Sequence, residues 1–355
     1  MLFDDMPYNF PNNPRQNTGR AIEFFADVFA EEVECLSSER QMLLRKVEDA
    51  SNAKPTERTV VPDRPGSDIV DAVFRKDLLA DAQPDLTLEA FGNLQEWQDW
   101  VALHPWVGDR GHIDSVRAHA SQHGVRSLWF GPVAGAAVSV AGEPPYAEIS
   151  VNGIPQWPRA LLDLVATMRI AQDTYTTRIY AAEALSPWAL ALRGRYPRFI
   201  GSEYLPGAEG KTLFPIQHQD LQGLDYPTGA FDIALTREVL EHVPDIAAAL
   251  RELARILRPG GVMLSTFPFL WGSEQGVLRA RLHDGEVEHL VEAPEYHADP
   301  HRPDGALLFY SPGWDILEIA RANGFSAAKL LFYSSTVGGI VNPHLAGIWI
   351  MLAVR

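Results

Sequence analysis

The fold is decided by residues 231–267, which read FDIALTREVLEHVPDIAAALRELARILRPGGVMLSTF. The stretch begins with a mostly apolar run at 231–235 that polar residues follow, which is typical of a buried strand leading into a loop. Apolar side chains then recur every three or four positions over residues 246–257, which predicts an amphipathic helix. A Pro-Gly-Gly sequence at 259–261 ends that helix, because proline cannot continue it and glycine adopts positive φ. Residues 262–267 form a second apolar strand.

This order of elements predicts a ligand-binding edge after the first strand. A strand, a helix and a strand joined by short links form a right-handed parallel crossover. In open parallel sheets, ligands bind beyond the carboxyl ends of the strands. Residues 236–242 follow the first strand and are therefore predicted to line a ligand site. Asp245 is predicted to cap the helix by accepting hydrogen bonds from its free amides.

Two phrases in this stretch, LEHVPD at 240–245 and LRELARILRPGG at 250–261, resemble the class I S-adenosylmethionine-dependent methyltransferase superfamily. The resemblance implies an α/β, Rossmann-like fold in which a seven-stranded, mostly parallel sheet carries helices on both faces. In that superfamily, the loop after the first of the two strands lines the cofactor and substrate cleft.

The rest of the chain supplies the elements that complete such a sheet. Short β-prone runs predict further strands at residues 178–181, 198–201, 214–217, 329–333 and 348–354. Helices are predicted at residues 157–173, 187–195 and 314–323. Helices and strands alternate along this part of the chain, as a doubly wound fold requires.

The length of 355 residues exceeds that of one ordinary domain. We predict a mobile N-terminal tail at residues 1–19, a smaller N-terminal helical and β-containing module at 20–154, and a methyltransferase-like domain at 155–355 with a lid-like insertion at 270–312. Within the module, residues 21–47 are predicted to form an amphipathic helix with a core or dimer-contact face. Residues 51–67 are polar and contain proline, which predicts a linker or a long surface loop.

Composition and charge exclude several classes of protein. A net charge of −16 disfavours extensive nucleic-acid binding, because neutralising phosphates needs clustered Lys and Arg. No apolar run is long enough to span a bilayer and the first residues lack a signal sequence, so we expect a soluble cytoplasmic protein with no membrane partner. Cys35 is the only cysteine, which excludes a disulfide scaffold within one chain. We expect a small-molecule or carrier-bound substrate and allow for a homodimer.

The resemblance also implies S-adenosylmethionine as the cofactor and assigns residues to it. Glu203, in the phrase GSEYL, lies just past the second strand, where the superfamily carries the acid that binds the ribose, and Tyr204 follows it. Asp220 matches the acid that follows the third strand and holds the adenine amine. Leu221 is expected to offer its backbone amide.

The loop after the first strand of the sheet, which is predicted at residues 178–181, departs from the superfamily pattern. Residues 178–192, RIYAAEALSPWALAL, contain no glycine, whereas the superfamily carries a DxGxGxG loop whose backbone approaches the cofactor closely. Ala182 and Glu183 stand in that place and are assigned to the cofactor. The E-x-x-S-P sequence at 183–187, the GSEYL phrase and the PEYHADP phrase at 294–300 together resemble a divergent bacterial subgroup of methyltransferase-domain proteins.

The loop after the fourth strand carries a second group of candidate residues. Arg237 and Glu238 are assigned to the cofactor, because Arg237 can meet a carboxylate of the cofactor or of the substrate. His242 is a candidate base near neutral pH. The resemblance offers another role for His242, in which it ties the loop to the following helix.

The insertion at residues 270–312 is rich in groups that ionise or donate hydrogen bonds. Long ordered loops at a ligand edge often close over substrates. We therefore predict that His289, Tyr296 and His297 bind the substrate or remove its proton. A metal site is the alternative, because His297, Asp299 and His301 alternate along one side of an extended strand. The interpretation that we favour has no bound metal.

Three functions remain open at this point. The leading hypothesis is a methyltransferase that passes the methyl group in line to an oxygen, nitrogen or carbon nucleophile. The glycine-free first loop motivates a second, in which a protein of the same fold has lost or repurposed methyl transfer and serves as a partner subunit or binds another ligand. The third is a metal-dependent enzyme that uses the histidine-rich loop at 283–301.

Overall fold

The computed structural model describes residues 68–141, 148–205, 212–213, 216–299 and 302–355. The predicted tail, the helix at 21–47 and the linker at 51–67 lie outside the described residues. The proposed boundary between residues 154 and 155 stays a prediction.

The secondary structure follows the predicted alternation of strands and helices. The described strands are β1 (Thr87–Phe91), β2 (Val125–Ser127), β3 (Gly131–Val133), β4 (Val138–Ala141), β5 (Glu148–Val151), β6 (Ile179–Ala181), β7 (Phe199–Glu203), β8 (Thr212–Leu213), β9 (Ile216–His218), β10 (Phe231–Arg237), β11 (Leu257–Thr266), β12 (Val277–Leu278), β13 (Ala280–His283), β14 (Glu286–His289), β15 (Tyr296–Asp299), β16 (Arg302–Leu307), β17 (Tyr310–Ser311), β18 (Ala327–Ser334) and β19 (Ile348–Val354). The described α-helices are α1 (Asp68–Val73), α2 (Lys76–Ala82), α3 (Leu94–Ala102), α4 (Arg110–His123), α5 (Gln156–Thr167), α6 (Pro187–Arg195), α7 (Ile246–Ile256) and α8 (Ile316–Ala322).

One large sheet organises the chain, with the strand order β1-β18-β19-β11-β10-β6-β7-β9-β8. Strands β11, β10, β6, β7 and β9 run parallel to one another. Strand β19 lies antiparallel between β11 and β18. The predicted doubly wound α/β fold is therefore confirmed. The sheet has nine described strands rather than the seven predicted, because β1 and β8 extend its two edges.

The strand β1 comes from the segment that we assigned to the N-terminal module. It pairs antiparallel with β18, from Thr87 opposite Ser334 to Phe91 opposite Leu330. Leu88 and Phe91 are both buried against the sheet. The segment before residue 154 therefore shares its main sheet with the rest of the chain.

Apolar side chains alternate along the central strands and supply a core on each face of the sheet. On one face, Ala234 and Met263 pack with helix α7, whose N-cap Asp245 accepts a hydrogen bond from the amide of Ala248 at 2.9 Å. On the other face, Ile233 and Leu264 belong to a cluster that includes residues of helices α5 and α6. Helices cover both faces of the sheet. A ligand is therefore expected to bind beyond the carboxyl ends of the parallel strands, which we call the ligand edge.

The predicted helix at 157–173 is shorter than expected. Helix α5 ends at Thr167, and a short 3-10 turn, Arg169–Ala171, follows Met168, whose extended backbone breaks the helix. The predicted turn at 259–261 lies within β11, where Gly260 adopts a φ of +74°.

A buried polar network joins helix α5 to distant parts of the chain. The carboxylate of Asp163 accepts hydrogen bonds from the Ser127 hydroxyl (2.6 Å), the Trp129 amide (2.8 Å) and the Gln83 side-chain amide (3.1 Å). One turn earlier on α5, the buried guanidinium of Arg159 donates to the carbonyl oxygens of Gly338, Gly339 and Ile149. The paired charges and hydrogen bonds let both side chains be buried.

The insertion at residues 270–312 forms antiparallel pairs rather than an open loop. Strand β13 pairs with β14, β15 pairs with β16, and β12 pairs with β17. The β13–β14 hairpin turns at Asp284 and Gly285, both with positive φ. This Asp-Gly pair is the usual sequence of a two-residue hairpin turn. The predicted role of the insertion as a lid stays a prediction.

Within the parts of the chain that the structure describes, no helix has both the length and the apolar character needed to cross a bilayer.

Candidate active site

The carboxyl ends of β6, β7 and β10 meet at one edge of the sheet and gather most of the predicted cofactor residues. Oε1 of Glu203, the last residue of β7, accepts hydrogen bonds from the amides of Ala184 (2.8 Å) and Leu185 (3.2 Å). The amide of Ala182 donates to the carbonyl of Leu235 on β10 at 3.0 Å. Glu203 therefore anchors the loop that follows β6.

The close approach of this loop to the sheet depends on a glycine that lies outside the loop. A Cβ atom added to Gly201 on β7 would lie 2.5 Å from the carbonyl oxygen of Glu183 and 2.8 Å from Cα of Ala184. The loop without glycine packs closely because its neighbouring strand has no side chain at this point. Sequence reasoning assigned no role to Gly201, whose only sequence signal is its place in GSEYL.

We expect Gly201→Ala to lower the free energy of unfolding by about 1–3 kcal/mol, because the added methyl meets backbone atoms that must shift. The matched control is Gly194→Ala in helix α6, where an added Cβ meets nothing within 4 Å. Alanine is the better helix former, so the control should leave stability unchanged or raise it slightly. Urea denaturation of both variants measures the difference. Equal stability of the two variants would show that the loop does not lie against β7.

Glu183 and Arg237 form an ion pair across the ends of β6 and β10. The guanidinium donates to both carboxylate oxygens, at 3.0 and 2.9 Å, and the indole Nε1 of Trp188 donates to Glu183 at 2.5 Å. Burial opposes the charge of Arg237, but the carboxylates of Glu183, Glu238 and Glu148 together outweigh burial and raise the pKa of the guanidinium. The structure thus brings two predicted cofactor residues together, and their opposite charges form hydrogen bonds with each other.

The remaining predicted cofactor residues lie along the same edge. The carboxylate of Asp220 accepts a hydrogen bond from the amide of Gln222 at 2.9 Å, and the neighbouring Leu221 is buried. Burial raises the pKa of Tyr180 on β6, and the negative charges of Glu203 and Asp220 raise it further, so both acids lie near this strand. The side chain of Tyr204 is 52% exposed, and its ring lies 5.5 Å from the ring of His218.

The loop after β10 holds two further carboxylates. Glu238 adopts a φ of +51°, which is uncommon for a residue with a side chain. Glu241 is fully buried, and neither of its carboxylate oxygens has a hydrogen-bond partner among the described residues. Burial raises the pKa of the Glu241 carboxyl well above its usual range, and Glu238 raises it further. Burial likewise raises the pKa of Glu238.

His242 and His297 come together beside Glu241. Nδ1 of His242 lies 2.8 Å from the carbonyl oxygen of Leu307, and the amide of Phe309 donates to the carbonyl of Glu241 at 2.8 Å, so the insertion is fastened to this loop. The rings of His242 and His297 are 5.0 Å apart and nearly perpendicular. Nε2 of His242 and Nδ1 of His297 lie 3.7 and 3.9 Å from Oε1 of Glu241.

The other two predicted catalytic residues lie on the hairpins of the insertion. His289 is exposed at the end of β14, opposite Ala280 of β13. Tyr296 is 51% exposed and pairs with Leu307 at the start of β15. Their catalytic roles stay predictions. Of the alternative metal set, Asp299 pairs with Arg302 across the β15–β16 hairpin, and His301 lies outside the described residues.

Comparisons with known proteins add sequence evidence to this geometry. Residues 186–327 match the sequence profile of a family described as a methyltransferase domain. The chain contains a class I methyltransferase domain. The matched segment of this methyltransferase domain begins with Ser186, the N-cap of α6, and ends at the start of β18.

Several methyltransferases are similar to parts of the chain. The 27-O-demethylrifamycin SV methyltransferase of Amycolatopsis mediterranei is 31% identical over 122 residues, which cover 31% of this chain and 44% of that protein. A ubiquinone biosynthesis O-methyltransferase of Xanthomonas oryzae pv. oryzae is 39% identical over 72 residues, which cover 20% of this chain and 30% of that protein. The chain therefore matches less than half the length of these curated relatives. Among solved structures, an S-adenosylmethionine dependent methyltransferase from Mesorhizobium loti is 16% identical, covers 51% of this chain and 92% of its own, and has a TM-score of 0.36.

Proposed function

We propose that the chain is an S-adenosylmethionine-dependent methyltransferase that acts on a hydroxyl oxygen of a small-molecule or carrier-bound acceptor. The observation that carries the proposal is the placement of two acids, Glu203 and Asp220, after neighbouring parallel strands at the ligand edge of a methyltransferase sheet. The O-methyltransferases that are similar to parts of the chain support oxygen as the acceptor atom.

Each predicted cofactor residue would bind the part of S-adenosylmethionine that its chemistry suits. The carboxylate of Glu203 suits the ribose diol, the carboxylate of Asp220 suits the adenine amine, and the amide of Leu221 offers a donor to the ring. Arg237 suits the carboxylate of the methionine end, which would then share the guanidinium with Glu183.

Methyl transfer needs alignment more than covalent help from the protein. Bound S-adenosylmethionine would supply the methyl group, and the imidazole of His242 or His297 would take the proton that the acceptor hydroxyl loses. We place this reacting hydroxyl at Glu241, His242 and His297, because these side chains lie together where the loop after β10 meets the insertion. The cytoplasmic location, the absence of nucleic-acid and membrane partners and the homodimer all stay predictions.

A second candidate function is favoured by one specific observation. By the resemblance, Glu183 corresponds roughly to the acid or to the first glycine of the superfamily's loop, and its side chain is held by Arg237 and Trp188. If this carboxylate stays in place, the methionine end of the cofactor has no room, and the chain would be a methyltransferase-fold protein that has lost or repurposed methyl transfer.

Calorimetric titration with S-adenosylmethionine and S-adenosylhomocysteine separates the two functions. We expect saturable binding of both compounds by the folded protein. Glu203→Gln should weaken that binding at least about tenfold, because it keeps an oxygen for the loop amides but removes the charge that holds the diol. Glu318→Ala, on the exposed face of α8, is the matched control and should bind as the wild type does. Folded protein that binds neither compound would exclude the methyltransferase function.

A further inference from the structure

Among the described residues, the buried carboxylate of Glu241 forms no ion pair with a lysine or an arginine. Its side chain is 0% exposed, and both oxygens lack hydrogen-bond partners among the described residues. Burying a carboxylate without a partner is costly, because the charge loses its hydration. The nearby guanidinium of Arg237 is already engaged by both oxygens of Glu183. A cation held between these side chains would compensate the charge of Glu241 in its ionised form.

The two imidazoles beside Glu241 are arranged as ligands. A carbonyl oxygen can only accept, so Nδ1 of His242 must donate to Leu307, and Nε2 then carries the lone pair that faces Glu241. A backbone carbonyl that holds the second ring nitrogen is the usual support of a metal-binding histidine. His297 presents Nδ1 to the same carboxylate, and its Nε2 lies 3.6 Å from Oε1 of Glu295 at the rim of the site.

The distances are close to those of a metal site. One ligand atom from each of Glu241, His242 and His297 can be chosen so that all lie within 4.8 Å of one another. Tetrahedral zinc with bonds of about 2.0 Å holds its ligand atoms roughly 3.3 Å apart. The separations of 3.7 and 3.9 Å from Glu241, and the third separation of at most 4.8 Å, would shorten toward this value around an ion.

We propose that Glu241, His242 and His297 bind a divalent transition-metal cation of the zinc class, with a fourth position open to water or to an oxygen of a ligand. Two imidazoles and one carboxylate form a ligand set that suits such ions. This site departs from the metal-free interpretation of the sequence, and it shares only His297 with the alternative set of His297, Asp299 and His301.

The bound ion would join two parts of the fold. His242 and Glu241 belong to the turn after β10, and His297 belongs to strand β15 of the insertion. The ion would therefore lock the insertion to the ligand edge of the sheet. The proposal concerns binding by these three residues and does not depend on methyl transfer.

The test is titration of chelator-treated, untagged protein with Co²⁺, followed by competition with Zn²⁺. We expect one Co²⁺ per chain, visible ligand-field absorption from a site with nitrogen ligands, and displacement by one Zn²⁺. Glu241→Gln and His297→Asn should each weaken binding by more than the 10- to 100-fold that is usual for losing a residue that only supports a ligand. The matched control is His283→Asn, an exposed histidine of the β13–β14 hairpin, which should bind as the wild type does.

Other outcomes would overturn the site. If the folded wild type binds neither Co²⁺ nor Zn²⁺, the proposal is wrong. If His283→Asn loses binding while His297→Asn keeps it, the ion is held by the exposed hairpin instead. Thermal unfolding with and without Zn²⁺ shows that each variant is folded, and Zn²⁺ should raise the Tm of the wild type and not that of Glu241→Gln. All measurements are made without S-adenosylmethionine, so a negative result here leaves the proposed methyl transfer untouched, and failure to bind the cofactor leaves the metal site untouched.

Discussion

Replacing Asp163 by alanine is expected to lower the free energy of unfolding by about 3–5 kcal/mol, enough to unfold a marginally stable chain. The substitution leaves Ser127, the Trp129 amide and Gln83 without their common acceptor. It also removes the buried negative charge whose attraction supports the ionised state of the fully buried Arg159. The loss is large because the buried donors and the buried charge are left uncompensated.

Asp163→Asn is the matched control, and it should cost less, about 1–3 kcal/mol. Its oxygen can still accept from Ser127 and Trp129, but its amide group faces the amide of Gln83. Gln83 cannot turn freely, because it also donates to the carbonyl of Arg126 and accepts from Tyr333. Guanidinium denaturation of both variants shows which one loses more of the free energy of unfolding. If Asp163→Ala is as stable as the wild type, the network does not hold α5 in place.

We also expect the difference in unfolding free energy between the wild type and Asp163→Asn to depend on pH. Burial raises the pKa of Asp163 from 3.8 to about 6, against the opposing hydrogen bonds from Ser127 and Trp129. Between these two values the folded state keeps a proton that the unfolded chain releases, so this group's contribution to stability is full at low pH and is lost as the pH rises through 6. The stability gap between wild type and Asp163→Asn should therefore shrink by up to about 3 kcal/mol from pH 4 to pH 7. A gap that widens with pH would contradict this expectation.

Arg237→Met is expected to have the second largest effect, lowering the free energy of unfolding by about 2–4 kcal/mol. Methionine keeps the apolar part of the side chain but leaves the carboxylate of Glu183, which is 15% exposed, without its cation. It also removes the positive charge that lowers the pKa values of Glu238 and Glu241. The loop after β6 should loosen with the loss of the ion pair, and S-adenosylhomocysteine should bind at least about tenfold more weakly.

The double variant Glu183→Gln with Arg237→Met isolates the ion pair. Removing both charges should recover part of the lost stability, because no unpaired carboxylate remains at the end of β6. Chemical denaturation of the single and double variants gives the coupling between the two residues. Strictly additive losses would mean that the two side chains act independently and that their contact contributes little. Recovery of stability without recovery of cofactor binding would support Arg237 as a ligand of the methionine carboxylate.

Most of the sheet could be predicted because its signals are local. The strand, helix and strand at residues 231–267 follow from apolar periodicity, and Asp245 caps its helix as expected because the cap lies one residue before it. Helix α6 has the predicted bounds, since Ser186 caps it and Pro187 occupies its first turn. The Asp284-Gly285 pair is an equally local signal, and it could have predicted a β-hairpin within the insertion.

The edge strand β1 and the contents of the site could not be predicted in this way. Nothing near Thr87–Phe91 indicates that its partner is β18, more than 200 residues later in the chain. Glu183 and Arg237 are 54 residues apart, and His242 meets Leu307 across 65 residues. Glu241 lies in the loop that was predicted to line the ligand site, but it was given no role of its own. An acid in a polar loop is usually solvated, and only the tertiary structure buries this one.

The sequence by itself determined the α/β class and the parallel pair of strands at residues 231–267, because both depend on short-range periodicity, caps and turns. Only the tertiary structure decided which charges meet there. It placed Glu183 against Arg237, packed a glycine-free loop over Gly201, and buried Glu241 between His242 and His297. Burial and partnership are set by segments far apart in the chain, and these determine the charge, hydration and metal affinity of a side chain.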